Sequence, residues 1–239
     1  MNLLNEILLK GRIEIIFLLE QKWGIKKPSG PYTIPKHLLK KYLPANAVMI
    51  DCGAHVGADS IELAKIFPKG TVHSFEPVPA IYQHLKHNTR RFTNIKCHQL
   101  ALSDKNGSAR MNVSSGGSDA SSSLLAPTGH TADHPDVLFK ESIDVTTMTL
   151  DRWAATNGIK KIDFLWLDMQ GFEYQMLSAS TLMLPQVLAV HTEVSLRDTY
   201  VGVMMYPDLK KWMESLGFTV EEEAIPEGTD MGNVLFVRK

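Results

Sequence analysis

The sequence predicts an α/β fold: a mostly parallel sheet with helices on both faces and an antiparallel strand pair at its C-terminal end. Two observations predict it. From Ala47 onward, short apolar runs alternate with stretches of helical period. Strand followed by helix, repeated, means a parallel sheet covered on both faces. The last two runs, "FTVEEE" and "NVLFVRK", follow each other with no helix between them.

The elements read in order. The first residues, "MNLLNEILLKGRIEIIFLLEQKWG", are apolar but broken by Glu6, Lys10, Arg12, Glu14 and Glu20. No span of about 20 apolar residues survives, so no transmembrane segment is expected. A basic start with a clean apolar block and a cleavage site is also missing. An amphipathic helix, or two broken near Gly11, packs as a lid or dimer element and makes a homodimer an option. Residues 1–44 are thus a helical extension, with "KHLLKKYL" as a short helix before Pro44, and residues 45–239 are one domain. "AVMID" is the first strand, Gly57 to Phe67 a helix, "TVHSFE" the second strand and Val78 to Phe92 a helix. "NIKCHQLAL", "FLWLDM" and "QVLAVHTEV" are the third to fifth strands. "DLKKWMESLG" is a helix closed by Gly217. The Ser- and Gly-rich stretch within residues 114–142 is too long for an ordinary connection and reads as a lid-like insertion.

Composition narrows the function. Hydrophobic residues are 44% and charged residues 21%, and the net charge is -1. That balance gives no electrostatic reason to bind nucleic acid, and "KHLLKK" and "KHNTRR" are short. Two cysteines, Cys52 and Cys97, make neither a disulfide framework nor a zinc spacing, which points to a reducing, cytoplasmic setting.

In a doubly wound sheet, ligands bind beyond the carboxyl ends of the strands, so residues that follow strands carry the chemistry. The first strand runs into Asp51-Cys52-Gly53-Ala54-His55-Val56-Gly57. Two glycines allow a tight turn and close backbone approach, and the next helix offers free amides. A dinucleotide site would want a third glycine soon after; Ala58, Asp59 and Ser60 stand there instead. Glu76 ends the second strand, 25 positions after Asp51, where an acid can accept hydrogen bonds from both ribose hydroxyls. Acids at this mouth disfavour a polyphosphate and favour a positively charged ligand, such as a sulfonium that also carries an ammonium group.

With these residues in place, the blocks "VMIDCGAHVGADSIELAKIFP", "TVHSFEPVP", "NIKCHQLALSDKNGSARM", "SIDVTTMTLDRW" and "IDFLWLDMQGFEYQMLSAS" resemble, in order, those of the FkbM-family S-adenosylmethionine-dependent methyltransferases. The resemblance runs from about Val48 to the C-terminus. It implies a Rossmann-like class I methyltransferase fold with a seven-stranded sheet, and methylation of hydroxyl oxygens of natural products or sugars. It places Asp51, Gly53, His55 and Gly57 in the cofactor loop, Glu76 at the ribose and Ser103 of "ALSD" beside the adenine.

Methyl transfer needs an aligned nucleophile, excluded water and, for a hydroxyl, removal of its proton. Asp168, at the end of the fourth strand, is expected to face the methyl group and to contact the cofactor. His191 and Glu193 share one side of the fifth strand by alternation. Either Asp168 or His191 takes the proton directly, or Asp168 and Glu193 hold a divalent cation; metal-independent chemistry is favoured because a third ligand is not identifiable. Glu173 reads equally as a helix-cap residue. His130 and His134 are spaced as helical metal ligands, but Gly129 and Pro135 make a loop of them. Tyr174, Tyr200 and Tyr206 are acceptor-pocket candidates or, more simply, core. Two further classes stay open at this point: a nicotinamide-dependent oxidoreductase on the same sheet, and a non-catalytic cofactor-binding interaction module.

Overall fold

The computed structural model describes residues 32–128 and 134–239. The expected N-terminal amphipathic helix, and His130 of the spaced histidine pair, lie outside them.

Among the described residues there are ten strands and five α-helices. The strands are β1 (Val48–Cys52), β2 (Thr71–Phe75), β3 (Ile95–His98), β4 (Ala101–Leu102), β5 (Gly107–Gly116), β6 (Val137–Met148), β7 (Phe164–Leu167), β8 (Ala189–Ser195), β9 (Phe218–Ala224) and β10 (Met231–Arg238). The helices are α1 (Ala58–Ile66), α2 (Pro79–Thr89), α3 (Leu150–Thr156), α4 (Glu173–Ser178) and α5 (Tyr206–Ser215). Local chemistry explains the boundaries. Gly57, at φ 91°, turns the chain into α1. Pro79 opens α2 at the one helical position where its missing N–H costs nothing. The Thr149 hydroxyl caps α3 by accepting from the Arg152 N–H. Gly217, at φ 84°, follows α5.

Seven strands form one sheet in the order β3-β2-β1-β7-β8-β10-β9, and only β10 runs against the rest. The chain winds outward from β1 to β3, then returns to β7 on the other side of β1, so strand order reverses between β1 and β7. Side chains alternate between two cores. Ile50, Leu165 and Val190 pack with Trp153, Met176 and Met213 from α3, α4 and α5. Met49, Phe164 and Ala189 pack with Leu63 and Ala64 of α1 and with Ile34, Leu39 and Leu43 from the segment before β1. The expected short helix in that segment is a 3-10 turn, Lys36–Lys41.

Two elements differ from expectation. "NIKCHQLAL" is broken: β3 ends at His98 on the edge of the main sheet, and β4 joins a second sheet, ordered β4-β6-β5. The stretch expected as an insertion, 114–142, begins within β5 and ends within β6, which pair with each other. Between the strands, Ser123 bridges back to Asn112 of β5, and Pro127 bridges to Tyr200 in the loop after β8.

Candidate active site

A cleft of about 590 Å³, counting its open mouth, sits beyond the carboxyl ends of β1, β2 and β7, where strand order reverses. Its floor is the loop after β1. Gly53 (φ 77°) has no side chain to spare: a Cβ there would lie 1.9 Å from the Asp168 carbonyl oxygen. The Gly53 and Ala54 amides donate to the Phe75 carbonyl, and the Asp168 amide donates to that of Cys52. Three strand ends thus meet at one glycine.

Glu76 forms the adjoining wall. It is buried, and each carboxyl oxygen accepts one backbone N–H: Oε1 from Val78 at 2.8 Å and Oε2 from His55 at 3.1 Å. These amides orient the carboxyl and leave further lone pairs for a ligand. Burial raises its pKa to about 7 against the pull of the amides and of His55. His55 is itself left-handed (φ 47°), and its Nε2 meets Asp119 Oδ1 at 3.0 Å. Burial works against a charged ring, but the Asp119 contact prevails and holds the His55 pKa above its ordinary value. Asp119, Ala120, Ser122 and Leu124 line the cleft, so the segment after β5 supplies its outer wall. The end near β4 is apolar: Leu100, Ala101, Leu102, Ile81 and Met111.

Other expected residues stand behind this surface. Asp51 is buried, and its carboxylate accepts from the Ser60 hydroxyl. Burial, then the neighbouring Asp59, raises it to about 8. Gly57 turns the chain into α1. The Ser103 hydroxyl donates to Asp104, and its amide to the Met148 carbonyl. None of these three lines the cleft, whereas Gly53, His55, Glu76 and Asp168 do.

Asp168 opens on the cleft, and the protein crowding its other sides raises its pKa to about 6. Gln170 Nε2 donates to Asp168 Oδ1 at 2.7 Å and to Glu193 Oε2 at 3.1 Å, so Asp168 and Glu193 converge on one nitrogen. Burial beside Asp168 pushes the Glu193 carboxyl well above the usual range. His191 does not join them. Its ring stacks on Trp166, with centroids 3.5 Å apart, and its Nδ1 has no hydrogen-bond partner among the described residues. Burial, with Lys36 near, lowers it to about 3. Glu173 turns inward, accepting from the Met169 amide at 2.7 Å. Tyr200 is buried against Gln170, Tyr206 bonds Glu223, and Tyr174 packs edge-on to Trp212. Gln170 and Asp119 escaped sequence reasoning. An amide carries no catalytic signature, and Asp119 lies 64 residues from its partner.

Residues 51–220 match the family model described as the methyltransferase FkbM domain. The chain belongs to the FkbM methyltransferases. That membership sets aside the oxidoreductase and non-catalytic alternatives. The FkbM methyltransferase is 28% identical over 184 residues to the 2-O-methyltransferase NoeI of Sinorhizobium fredii, covering 75% of this chain and 76% of that protein. It is 27% identical over 210 residues to the 31-O-demethyl-FK506 methyltransferase FkbM of Streptomyces tacrolimicus, covering 78% and 79% of the two. A solved SAM-dependent methyltransferase from Aquifex aeolicus superposes with a TM-score of 0.47 at 12% identity, covering 90% of this chain and 96% of that one.

The cofactor of this FkbM methyltransferase is S-adenosylmethionine. The cleft fits it: side-chain-free backbone at Gly53, a carboxyl with spare acceptors at Glu76, acids rather than a phosphate cradle, and an apolar end at β4. Charged hydrogen bonds are worth about 1.5–3 kcal/mol. Glu76→Gln is therefore expected to weaken S-adenosylhomocysteine binding roughly 10–100-fold by calorimetry. A carboxylate binds the ribose better than a carboxylic acid, so affinity rises with pH through about 7. The substitution flattens that dependence.

Proposed function

We propose that this methyltransferase alkylates a hydroxyl oxygen of a small molecule, a natural product or sugar, with Asp168 as the base. The observation that carries it is the position of Asp168: open to the cleft, at the end of the strand beside the cofactor loop, with a pKa of about 6. A base poised near neutral pH is ionised at working pH and still accepts a proton in the transition state. His191, lowered to about 3 and stacked on Trp166, is a poor acceptor by comparison. The two named relatives, a 2-O-methyltransferase and a 31-O-demethyl-FK506 methyltransferase, support an oxygen acceptor.

S-adenosylmethionine, when bound, supplies the methyl carbon and the sulfide leaving group. The protein does the rest. Glu76 and the Gly53 loop hold and orient the nucleoside end. Asp168 accepts the proton of the acceptor hydroxyl. Glu193, its carboxyl pushed up by burial beside Asp168, shares the Gln170 amide with the base. The segment from Asp119 to Leu124 shields the cleft from water. Metal-independent chemistry is favoured because the Gln170 amide, itself a donor, occupies the point between Asp168 and Glu193 that a cation would take. A cytoplasmic location suits two unpaired cysteines, and no helix among the described residues is long and apolar enough to cross a membrane. A homodimer remains part of the proposal; a nucleic-acid substrate does not, given the net charge of -1.

The test is transfer of a ¹³C-methyl group to a panel of hydroxylated and amine acceptors, read by the chemical shift of the product methyl. An O-methyl product supports the proposal; N- or C-methyl products overturn it. In the same assay His191→Phe keeps the stack on Trp166 and leaves turnover close to wild type, whereas loss of the base costs roughly 10²–10⁴-fold. A loss that deep in His191→Phe would move the base to His191. EDTA is expected to leave turnover unchanged; loss restored by Mg²⁺ would establish the cation mechanism.

A further inference from the structure

Gln170 is the most heavily tied side chain around the carboxyl pair. It follows β7 in a left-handed conformation (φ 53°), which is uncommon for a residue with a side chain. Gly171 continues the turn at φ 92°, and a Cβ on it would meet Tyr200, Val203 and Leu125 at 3.2–3.4 Å. Strain of this kind persists where surrounding structure over-determines it, and it clusters at functional sites.

The surroundings do over-determine it. The Tyr200 hydroxyl lies 3.1 Å from Gln170 Oε1 and 3.2 Å from the Ser121 carbonyl. The Ser123 hydroxyl donates to the Gln170 carbonyl at 2.8 Å. The same stretch is stitched to the loop after β8: the Thr128 amide donates to the Thr199 carbonyl, and the Val201 amide to that of Ala126. These contacts also settle which end of the amide is which. Two carboxyls stand at one end, so the NH₂ faces Asp168 and Glu193. The reverse orientation would aim an oxygen at two acids.

We infer that Gln170 is a positioning residue for methyl transfer: its side-chain amide fixes the Asp168 and Glu193 carboxyls at one nitrogen, and Tyr200 with the Ser121–Ser123 stretch fixes that amide. This rests on Asp168 being the base. The arrangement ties the wall of the cleft to the chemistry. Ser123 holds the Gln170 turn directly and Ser121 holds it through Tyr200, and the Gln170 amide in turn holds the Asp168 oxygen. One N–H bonded to a carboxylate also favours its charged form. Gln170 therefore works against burial first, and then against the groups coupled to Asp168: Asp59 of α1, Asp51 of β1, Glu173 of α4, Glu193 of β8 and the Tyr200 hydroxyl. His55 in the loop after β1 acts in the same direction as Gln170.

The first readout needs no acceptor. Protein carrying ¹³C at aspartate carboxyls is titrated by NMR with S-adenosylhomocysteine present, and the Asp168 signal is assigned by its absence in Asp168→Asn. In Gln170→Ala the Asp168 midpoint is expected to rise by about one unit, as removal of a hydrogen bond to a carboxylate requires. Tyr200→Phe, which deletes one hydroxyl, is expected to move it the same way by less, and serves if Gln170→Ala does not fold. A folded Gln170→Ala with wild-type S-adenosylhomocysteine affinity and an unmoved Asp168 midpoint would overturn the inference. A shifted midpoint together with full turnover in Asp168→Asn would uphold the Gln170 contact and overturn the base assignment instead.

Discussion

Asp168→Asn is expected to cut turnover by roughly 10²–10⁴-fold, the usual worth of a general base, while S-adenosylhomocysteine affinity stays within a few-fold of wild type. The substitution keeps the shape of the side chain and one oxygen to accept from Gln170 Nε2, now 2.7 Å from Asp168 Oδ1. What it removes is proton affinity. With a pKa of about 6, Asp168 is protonated below that pH and ionised above it, so kcat/KM rises as pH passes through about 6. The variant has lost the group responsible, and its residual rate is flat across that limb. Matched rate–pH profiles of the two proteins check both statements. An acid limb that persists in Asp168→Asn assigns the proton to another group.

The second large effect falls on Gly53. Gly53→Ala is expected to lower stability by about 3 kcal/mol or more and to abolish measurable cofactor binding. An alanine at φ 77° costs about 1–3 kcal/mol by itself. Its Cβ would also lie 1.9 Å from the Asp168 carbonyl oxygen, a backbone atom that cannot step aside without pulling β7 off β1. For a chain of this size, 3 kcal/mol is about 6–12 °C in Tm. Thermal unfolding and calorimetry on the same sample check it. Gly228→Ala is the control: it too has positive φ, but a Cβ there meets nothing within 4 Å, so it carries the strain without the collision. Equal losses in the two variants would mean that backbone strain alone explains the effect.

Much of this architecture was legible because burial writes itself into sequence. β1 and β7 are covered on both faces, and both read as apolar runs, "VMI" and "FLWL". Residues that follow strands, Gly53, Glu76 and Asp168, stand on the cleft because a parallel sheet puts all its carboxyl ends on one edge. The break between β3 and β4 was not legible. Both pieces continue one apolar alternation, and only the choice of partner, β2 for one and β6 for the other, separates them. The paired strands β5 and β6 were obscured by the Ser- and Gly-rich stretch between them, although Ala109 pairs with Val145 and Met111 with Ile143. His191 shows the limit of alternation: it does share a face with Glu193, but two residues of strand rise set it beside Trp166 rather than beside Asp168.

The central claim divides the labour: Glu76 holds the cofactor, and Asp168 moves the proton. The most direct test is calorimetric titration of S-adenosylhomocysteine into wild type, Glu76→Gln and Asp168→Asn at pH 7.5 or so, above the pKa values of both carboxyls. The expected result is near-wild-type affinity in Asp168→Asn and a loss of roughly 10–100-fold in Glu76→Gln. Unchanged binding in Glu76→Gln, or an equal loss in both, would contradict it.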